Sequence, residues 1–389
     1  MRLMTLFPAL LLFLACSTPR PQSLEDGLAA YRQNDIEEAL PQFERAAAEQ
    51  PGNAQIHAWV AETRRRSGNF NGAMDAARTA LELDGCNSFA HTVIAAVYNP
   101  AYQGLSDADS SWTHALTAIE CDPSDGNARI GVWGESMRRG ERETEDQALQ
   151  ALIDHRFLTT TVLAFNRWVL RGLPDSAIVV TAGDWDTFPA LALQVSEGLR
   201  TDVAVVNINM LNLPWYRDLI AERHGISLPD IERPTNTRPQ AGLVVTWWRD
   251  QRVGDTSERP LAFAVTIPEA NVPVGAGHLQ DAGAFRRVVP ITAAPYDTAT
   301  MRLILEDLSA AEFTGPTTSV RDRSAVRLAA ENSFPALIMF AGARYARVLR
   351  ETERVDEARE VVEWVTQFGT DVGASEQTMD WFREVLGEM

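Results

Sequence analysis

The chain has 389 residues, 45% of them apolar, with a net charge of −18 and an isoelectric point near 4.8. That length suits two or three domains, and that apolar share supplies a core, which excludes a globally disordered chain. The acidic balance excludes nucleic acid as a partner, because neutralising phosphates takes a basic surface.

The chain opens on a targeting pattern. Arg2 precedes an apolar run, Leu3–Leu14, that is too short to span a bilayer. The four residues Phe13-Leu14-Ala15-Cys16 resemble a bacterial lipoprotein box, with Phe where Leu is commoner. The resemblance implies a signal peptide over residues 1–15 and lipidation of Cys16 on its sulphur and its new amino terminus. It places the protein in the cell envelope, lipid-anchored in the outer membrane, on its periplasmic face or its surface. Multiple acyl chains meet the requirement for stable anchoring. Nothing downstream is apolar for long enough to cross a membrane, so the anchor is the expected membrane contact.

Residues 16–23 read as a Pro-rich tether, and residues 24–157 as a helical array. Asn34–Ala39 with Phe43, Ala46 and Pro51 resembles the second half of a tetratricopeptide repeat. The next copy is fuller: Ala61, Gly68-Asn69-Phe70, Ala73, Ala77 and Ala80–Asp84. Small residues there let two helices approach closely while the aromatic fills the gap between them. Pro51 and Gly85 stand one tetratricopeptide period apart. The third copy, ending at Asp122-Pro123, is longer, with the excess expected in the Asn99–Ser106 loop. Ala128 to about Ile153 reads as a degraded fourth, with Gly131 and Gly140 near its turn. Such units stack into a superhelix whose concave face binds a protein or peptide, or serves as a rigid spacer. Arg64-Arg65-Arg66 reads as a solvated face. Cys86 and Cys121 stand at the same end of one helix pair, and a disulfide between them is expected in an oxidising compartment.

Residues 158–297 read as an α/β domain. After a helix at Leu158–Leu170, Ala177–Thr181 and Asp202–Asn207 are short buried strands joined through a helix that Thr187 caps and Pro189 enters. Two such strands make a parallel βαβ unit, and ligands gather beyond the carboxyl ends of its strands. Asp184, Trp185 and Asp186 follow the first strand, Asn207 ends the second and Asn209 follows it, so these five are the candidate binding residues. Pro214–His224 is a further helix. Leu243–Trp248, Leu261–Ile267 and Arg286–Ile291 read as strands, with a polar turn at Asp250–Arg259. Residues 298–389 read as helical, closing in a repeat-like hairpin. The fold class is therefore α plus α/β.

The pieces Gly183–Pro189, Glu197–Val203, Val206-Asn207 through Leu211-Asn212, Trp215-Tyr216, Arg259–Thr266 and Leu279–Pro290 occur in a shared order. Over residues 158–368 that order resembles the soluble C-terminal region of bacterial protein O-mannosyltransferase-like membrane proteins of the GT-C superfamily. Members of that group carry membrane helices before this region, with the catalytic acid between them; here a lipoprotein signal and repeats stand instead. Trp185 also occupies a position that is usually Asn. The resemblance thus implies a fold and a binding surface rather than transferase chemistry.

Asp184 and Asp186 admit two readings. As paired carboxylates they serve acid–base work, although loop neighbours two residues apart need not span a sugar as a glycosidase requires. As structural acids, Asp186 supports the helix N-terminus through its dipole and Asp184 satisfies backbone donors in the turn. Carboxylates and amides together also suit a polyol better than a phosphate. No metal-ligand spacing appears and no cofactor is expected. The expected function is a non-catalytic envelope scaffold binding a protein or glycan partner. The alternative is an envelope hydrolase or glycosyl-transfer accessory enzyme using the Asp184/Asp186 loop.

Overall fold

The computed structural model describes residues 20–101, 104–229, 240–254, 259–267, 272, 279–313 and 333–387. The lipoprotein box with Cys16, and the first half of the stretch read as a tether, lie outside them. The described chain is mostly helical with one small mixed sheet, and none of its helices is long and apolar enough to cross a membrane.

Four helix pairs come first: α1 (Gln22–Arg32) with α2 (Ile36–Glu49), α3 (Ala54–Arg66) with α4 (Phe70–Leu83), α5 (Ser88–Tyr98) with α6 (Ala108–Cys121), and α7 (Gly126–Arg139) with α8 (Arg142–Asp154). The array begins at Gln22, inside the stretch expected to be a tether. An Asn or Asp opens each helix from α2 to α7, its side chain accepting from first-turn N–H groups. Each such cap contributes about 1 kcal/mol. Within a pair, alanines such as Ala61, Ala73, Ala77 and Ala80 are fully or almost fully buried, which is the close approach the repeat pattern calls for. Tyr31, Phe43, Trp59 and Phe89 form a continuous aromatic file, with Trp59 stacked on Phe43 and edge-on to Phe89. The odd-numbered helices stack on one another, α3 on α5 and α5 on α7, and so form the inner face of the array. The fourth pair is complete. Gly140 makes its turn in the left-handed region at φ 73°, whereas Gly131, expected near that turn, lies in the middle of α7.

Beyond α9 (Thr160–Gly172) the chain forms β1 (Ile178–Thr181), α10 (Phe188–Glu197) and β2 (Ala204–Asn207). Next come a 3-10 turn at Met210–Asn212, α11 (Pro214–His224) and α12 (Gln240–Gly254), then β3 (Leu261–Ala264), β4 (Leu279–Asp281) and β5 (Phe285–Val288). The sheet order is β2-β1-β3-β5-β4. β1 lies parallel to both β2 and β3, while β3–β5 and β4–β5 are antiparallel. All residues of β1, β2 and β3 are buried, as expected of a parallel sheet covered on both faces.

Two strand readings need correction. Leu243–Trp248 belongs to α12, and the expected polar turn after it is helical as far as Gly254. Ala241, Val244, Val245, Trp248 and Arg252 are buried while Leu243 is exposed. That spacing is a helical stripe and not the alternation of a strand. Trp248 is core, its indole N–H donating to the Ser227 carbonyl at 2.8 Å, and Trp247 is half-buried on the same helix. β4 was not expected at all. It pairs with β5 through a turn in which Gly283 takes φ 87°, and β5 ends before the expected Ile291 because Pro290 cannot donate to a ladder.

The chain closes with α13 (Thr298–Glu306), α14 (Phe334–Glu351), α15 (Val355–Asp371) and α16 (Glu376–Gly387), of which α14 and α15 pair. One apolar core covers α1 to α5. A second runs from Ala95 to Phe382 and includes Trp133, Met137, Leu149 and Leu152 of the fourth helix pair. The end of the repeat array and the sheet therefore share a core.

Candidate functional site

Because β1, β2 and β3 are parallel, the residues just past each strand gather on one edge of the sheet. Asp186 lies there almost fully buried, 4% exposed. Its carboxylate accepts from the N–H groups of Ala182 (2.8 Å) and Gly183 (2.9 Å) and from the Thr266 hydroxyl, which arrives from beyond β3. Burial pushes the Asp186 carboxyl above its ordinary range, against the opposing pull of those three hydrogen bonds. Asp184 is exposed. Asp186 therefore satisfies turn donors, and the two acids occupy unlike environments, one buried and one exposed.

Thr187 also departs from expectation. It makes no cap bond to α10; its hydroxyl lies 2.7 Å from that of Thr181 and accepts from the Asn207 amide at 3.0 Å. The Asn207 side-chain amide oxygen accepts from the backbone N–H groups of Asn209 and Met210. Asn209 donates to the Ala182 carbonyl at 2.6 Å, and Asn212 donates to the Asn209 carbonyl while accepting from Ala241 N–H. The amides expected to meet a hydroxylated ligand are thus largely engaged in holding the loops. Among the described residues no group of three or more His, Cys, Asp or Glu is placed to hold a metal ion.

Asp184, Trp185, Asn207 and Asn209 nevertheless line one space together, a cleft of about 790 Å³ that Asp186 does not line. Its opposite wall is the inner face of the repeat array. Ala95, Ala96, Ala115 and Ala128 with Gly131 and Gly134 form a floor of small residues. Among the described residues, a methyl group at Gly134 would meet nothing within 4 Å, and one at Gly131 only the Ala115 Cβ at 3.8 Å. Glycine in a helix interior costs about 1 kcal/mol relative to alanine, so α7 gives up stability to keep this floor open.

Charged groups rim that floor. Arg65 pairs with Glu62 at 2.8 Å and Arg138 pairs with the buried Glu135. Arg66 sits over the Tyr31 ring, 5.0 Å from its centroid, and donates to the Asn34 amide oxygen. Arg65 and Arg66 therefore border the cleft instead of forming a plain solvated face; Arg64 binds Glu44 and the Gly72 carbonyl. Trp133 lines the cleft at 3% exposure, and its indole N–H has no acceptor among the described residues. A buried donor left so costs about 1–3 kcal/mol. The Gly131/Gly134 and Glu135/Arg138 spacings each put both members on one helix face, a signal present in the sequence. Thr266 carried none, since its partner is eighty residues away.

The two walls are tied directly. Trp133 meets Phe188 of α10 edge-on at 5.0 Å, and Arg223 of α11 forks onto the buried Glu145 of α8 at 2.7 and 2.9 Å. Elsewhere in the array, Cys86 and Cys121 are joined by a disulfide with Cα atoms 5.3 Å apart.

A family model described as TMEM260-associated domain 2 matches residues 163–229, which take in the β1–α10–β2 unit, most of α9 and all of α11. No curated protein matches. Among solved structures the chain is similar to a thermophilic tetratricopeptide-repeat protein of Thermus thermophilus, at 21% identity over 34% of this chain and 72% of that one, with a TM-score of 0.31. It is also similar to a tetratricopeptide-repeat protein from Parabacteroides merdae, at 10% identity over 88% of this chain and 97% of that one, with a TM-score of 0.30.

Proposed function

We propose that the protein is a non-catalytic scaffold of the cell envelope, anchored through lipid on Cys16, that recognises a protein partner in the cleft between its repeat array and its sheet edge. The observation that carries this reading is the cleft itself: both of its walls come from surfaces that serve recognition, the inner helices of a repeat stack and the carboxyl edge of a parallel sheet. The O-mannosyltransferase-like resemblance of residues 158–368 fits as a borrowed fold whose edge now binds. Recognition is favoured over hydrolysis or glycosyl transfer because Asp186 is buried, engaged by three donors and set apart from the cleft that Asp184 lines. A protein partner is favoured over a glycan because the rim amides are occupied by the loops.

A photo-reactive amino acid placed at Asn99 or Asp184 in producing cells, with Glu82 on the outer helix α4 as control, tests the reading. The expected result is one protein adduct from both cleft positions, none from Glu82, and loss of the Asn99 adduct in an Asp184→Arg background. Equal labelling at all three positions, or no protein adduct at the cleft positions, would refute it. Cys16→Ala should in parallel release the protein from membranes or block its processing; unchanged fractionation would remove the anchor from the reading.

A further inference from the structure

We infer that the cleft takes an extended polypeptide segment that lowers one aromatic side chain onto the floor at Gly131 and Gly134, lays a carbonyl oxygen against the Trp133 indole N–H, and brings an acidic residue to Arg66. The inference rests on the protein-recognition reading and specifies its ligand.

Three independent observations converge on it. The first is space: two glycines one turn apart in α7 leave room where side chains would otherwise stand, and none of the described residues fills the position above Gly134. Phe89, Phe188 and Trp133 are buried around that floor, while Trp185 and Trp215 stand half-buried on the facing wall. An aromatic side chain in such a pocket gains both burial and edge-to-face contacts, the usual anchor of a polypeptide interface.

The second is the Trp133 N–H. It is a donor only, it is buried, and no acceptor among the described residues meets it. A peptide main chain offers a carbonyl at every residue, so an anchored segment supplies the missing acceptor once the ring turns slightly toward the cleft.

The third is charge. Of the three arginines on the repeat wall, Arg65 and Arg138 are neutralised by Glu62 and Glu135. Arg66 is exposed and engaged by neutral groups, the Asn34 amide and the Tyr31 ring. On a chain of net charge −18, a guanidinium with no acidic partner among the described residues, at the mouth of the cleft, selects for a carboxylate.

The test begins with a phage-displayed library of random dodecapeptides selected on the purified full-length protein, followed by fluorescence anisotropy of the enriched peptides. The expected peptides carry an aromatic residue close to Asp or Glu. Gly134→Leu should weaken their binding by about tenfold or more. Trp133→Phe, which keeps a ring but removes the N–H, should weaken it about threefold to tenfold. Arg66→Glu should weaken it most at low ionic strength. Melting followed by circular dichroism checks that each variant is folded, and Gly134→Met replaces Gly134→Leu should the latter melt early. Enriched peptides that lack an aromatic residue, or whose binding is unchanged in both Gly134→Leu and Trp133→Phe, overturn the inference and leave protein recognition standing. A library that yields no binder overturns both.

Discussion

On the repeat wall of the cleft, the rim ion pairs join residues three apart: Glu62 with Arg65 and Glu135 with Arg138. On the sheet wall, the contacts that shape the site join Asn207 to Thr187, twenty residues away, and Thr266 to Asp186, eighty away. The first wall is a run of local decisions repeated along a helix stack. The second exists only when three strands have already found one another. The difference teaches where each wall is vulnerable: a change on the repeat wall alters one rung, whereas a change under the sheet edge releases several loops together.

The largest effect should come from Asp186→Ala. It leaves two backbone N–H groups and the Thr266 hydroxyl without their acceptor in a buried place, which should cost about 4 kcal/mol in urea unfolding. A loss below about 1 kcal/mol would show that the sheet wall does not depend on this acid. The pH dependence has a definite sign. Burial raises the folded carboxyl above its ordinary value, so the contribution of Asp186 is fully present below about pH 4 and is lost as pH rises through the raised value. Wild-type stability measured against Asp186→Asn should therefore decline from about pH 4 upward. Asp202 gives the opposite sign. Hydrogen bonds from Arg200 hold it well below the ordinary range, so its contribution is present above about pH 4 and fades as pH falls toward the depressed value.

Next in size is the disulfide, which belongs to the repeat array. The bridge spans 35 residues, and Cys86→Ser with Cys121→Ser should lower stability by about 3–4 kcal/mol on the chain-entropy estimate. The loss should appear as lowered protection in hydrogen exchange across α5 and α6, with β1 and β2 little changed. Equal loss in the strands would mean that the two walls unfold as one unit.

Arg223→Ala addresses the joint between the walls. It removes the fork onto buried Glu145 but leaves Arg142 beside that acid, so a loss of about 2 kcal/mol is expected. Calorimetry should then show two separated transitions where the wild type shows closer coupling. A single unshifted transition would place the coupling in the shared apolar core instead.

The smallest effect should be that of Asp184→Ala. This exposed residue should change stability by less than about 0.5 kcal/mol while reducing capture of a partner in the cleft. Asp184 and Asp186 stand two apart in sequence, so their contrast tests the comparison within a single turn of chain.

Read without coordinates, the chain determined what local chemistry controls. The small-residue and aromatic spacing set the helix pairs, the Asn and Asp caps set their starts, and the buried β-branched runs set β1 and β2. It also determined which edge of the sheet would gather Asp184, Trp185, Asn207 and Asn209, because parallel strands admit one answer. Tertiary structure decided the rest. Leu243–Trp248 is apolar enough for either period, and only the surface it packs against selects helix over strand. The role of Asp186 depended on Thr266 arriving from the turn beyond β3, far along the chain. The cleft depended on the fourth helix pair entering the core of the sheet, so that Gly131, Trp133 and Gly134 came to face Trp185. Patterns of three, four or two residues are written in the sequence because backbone geometry imposes them. Which distant surfaces meet depends on total burial over the whole fold, and no short stretch of the chain carries that information.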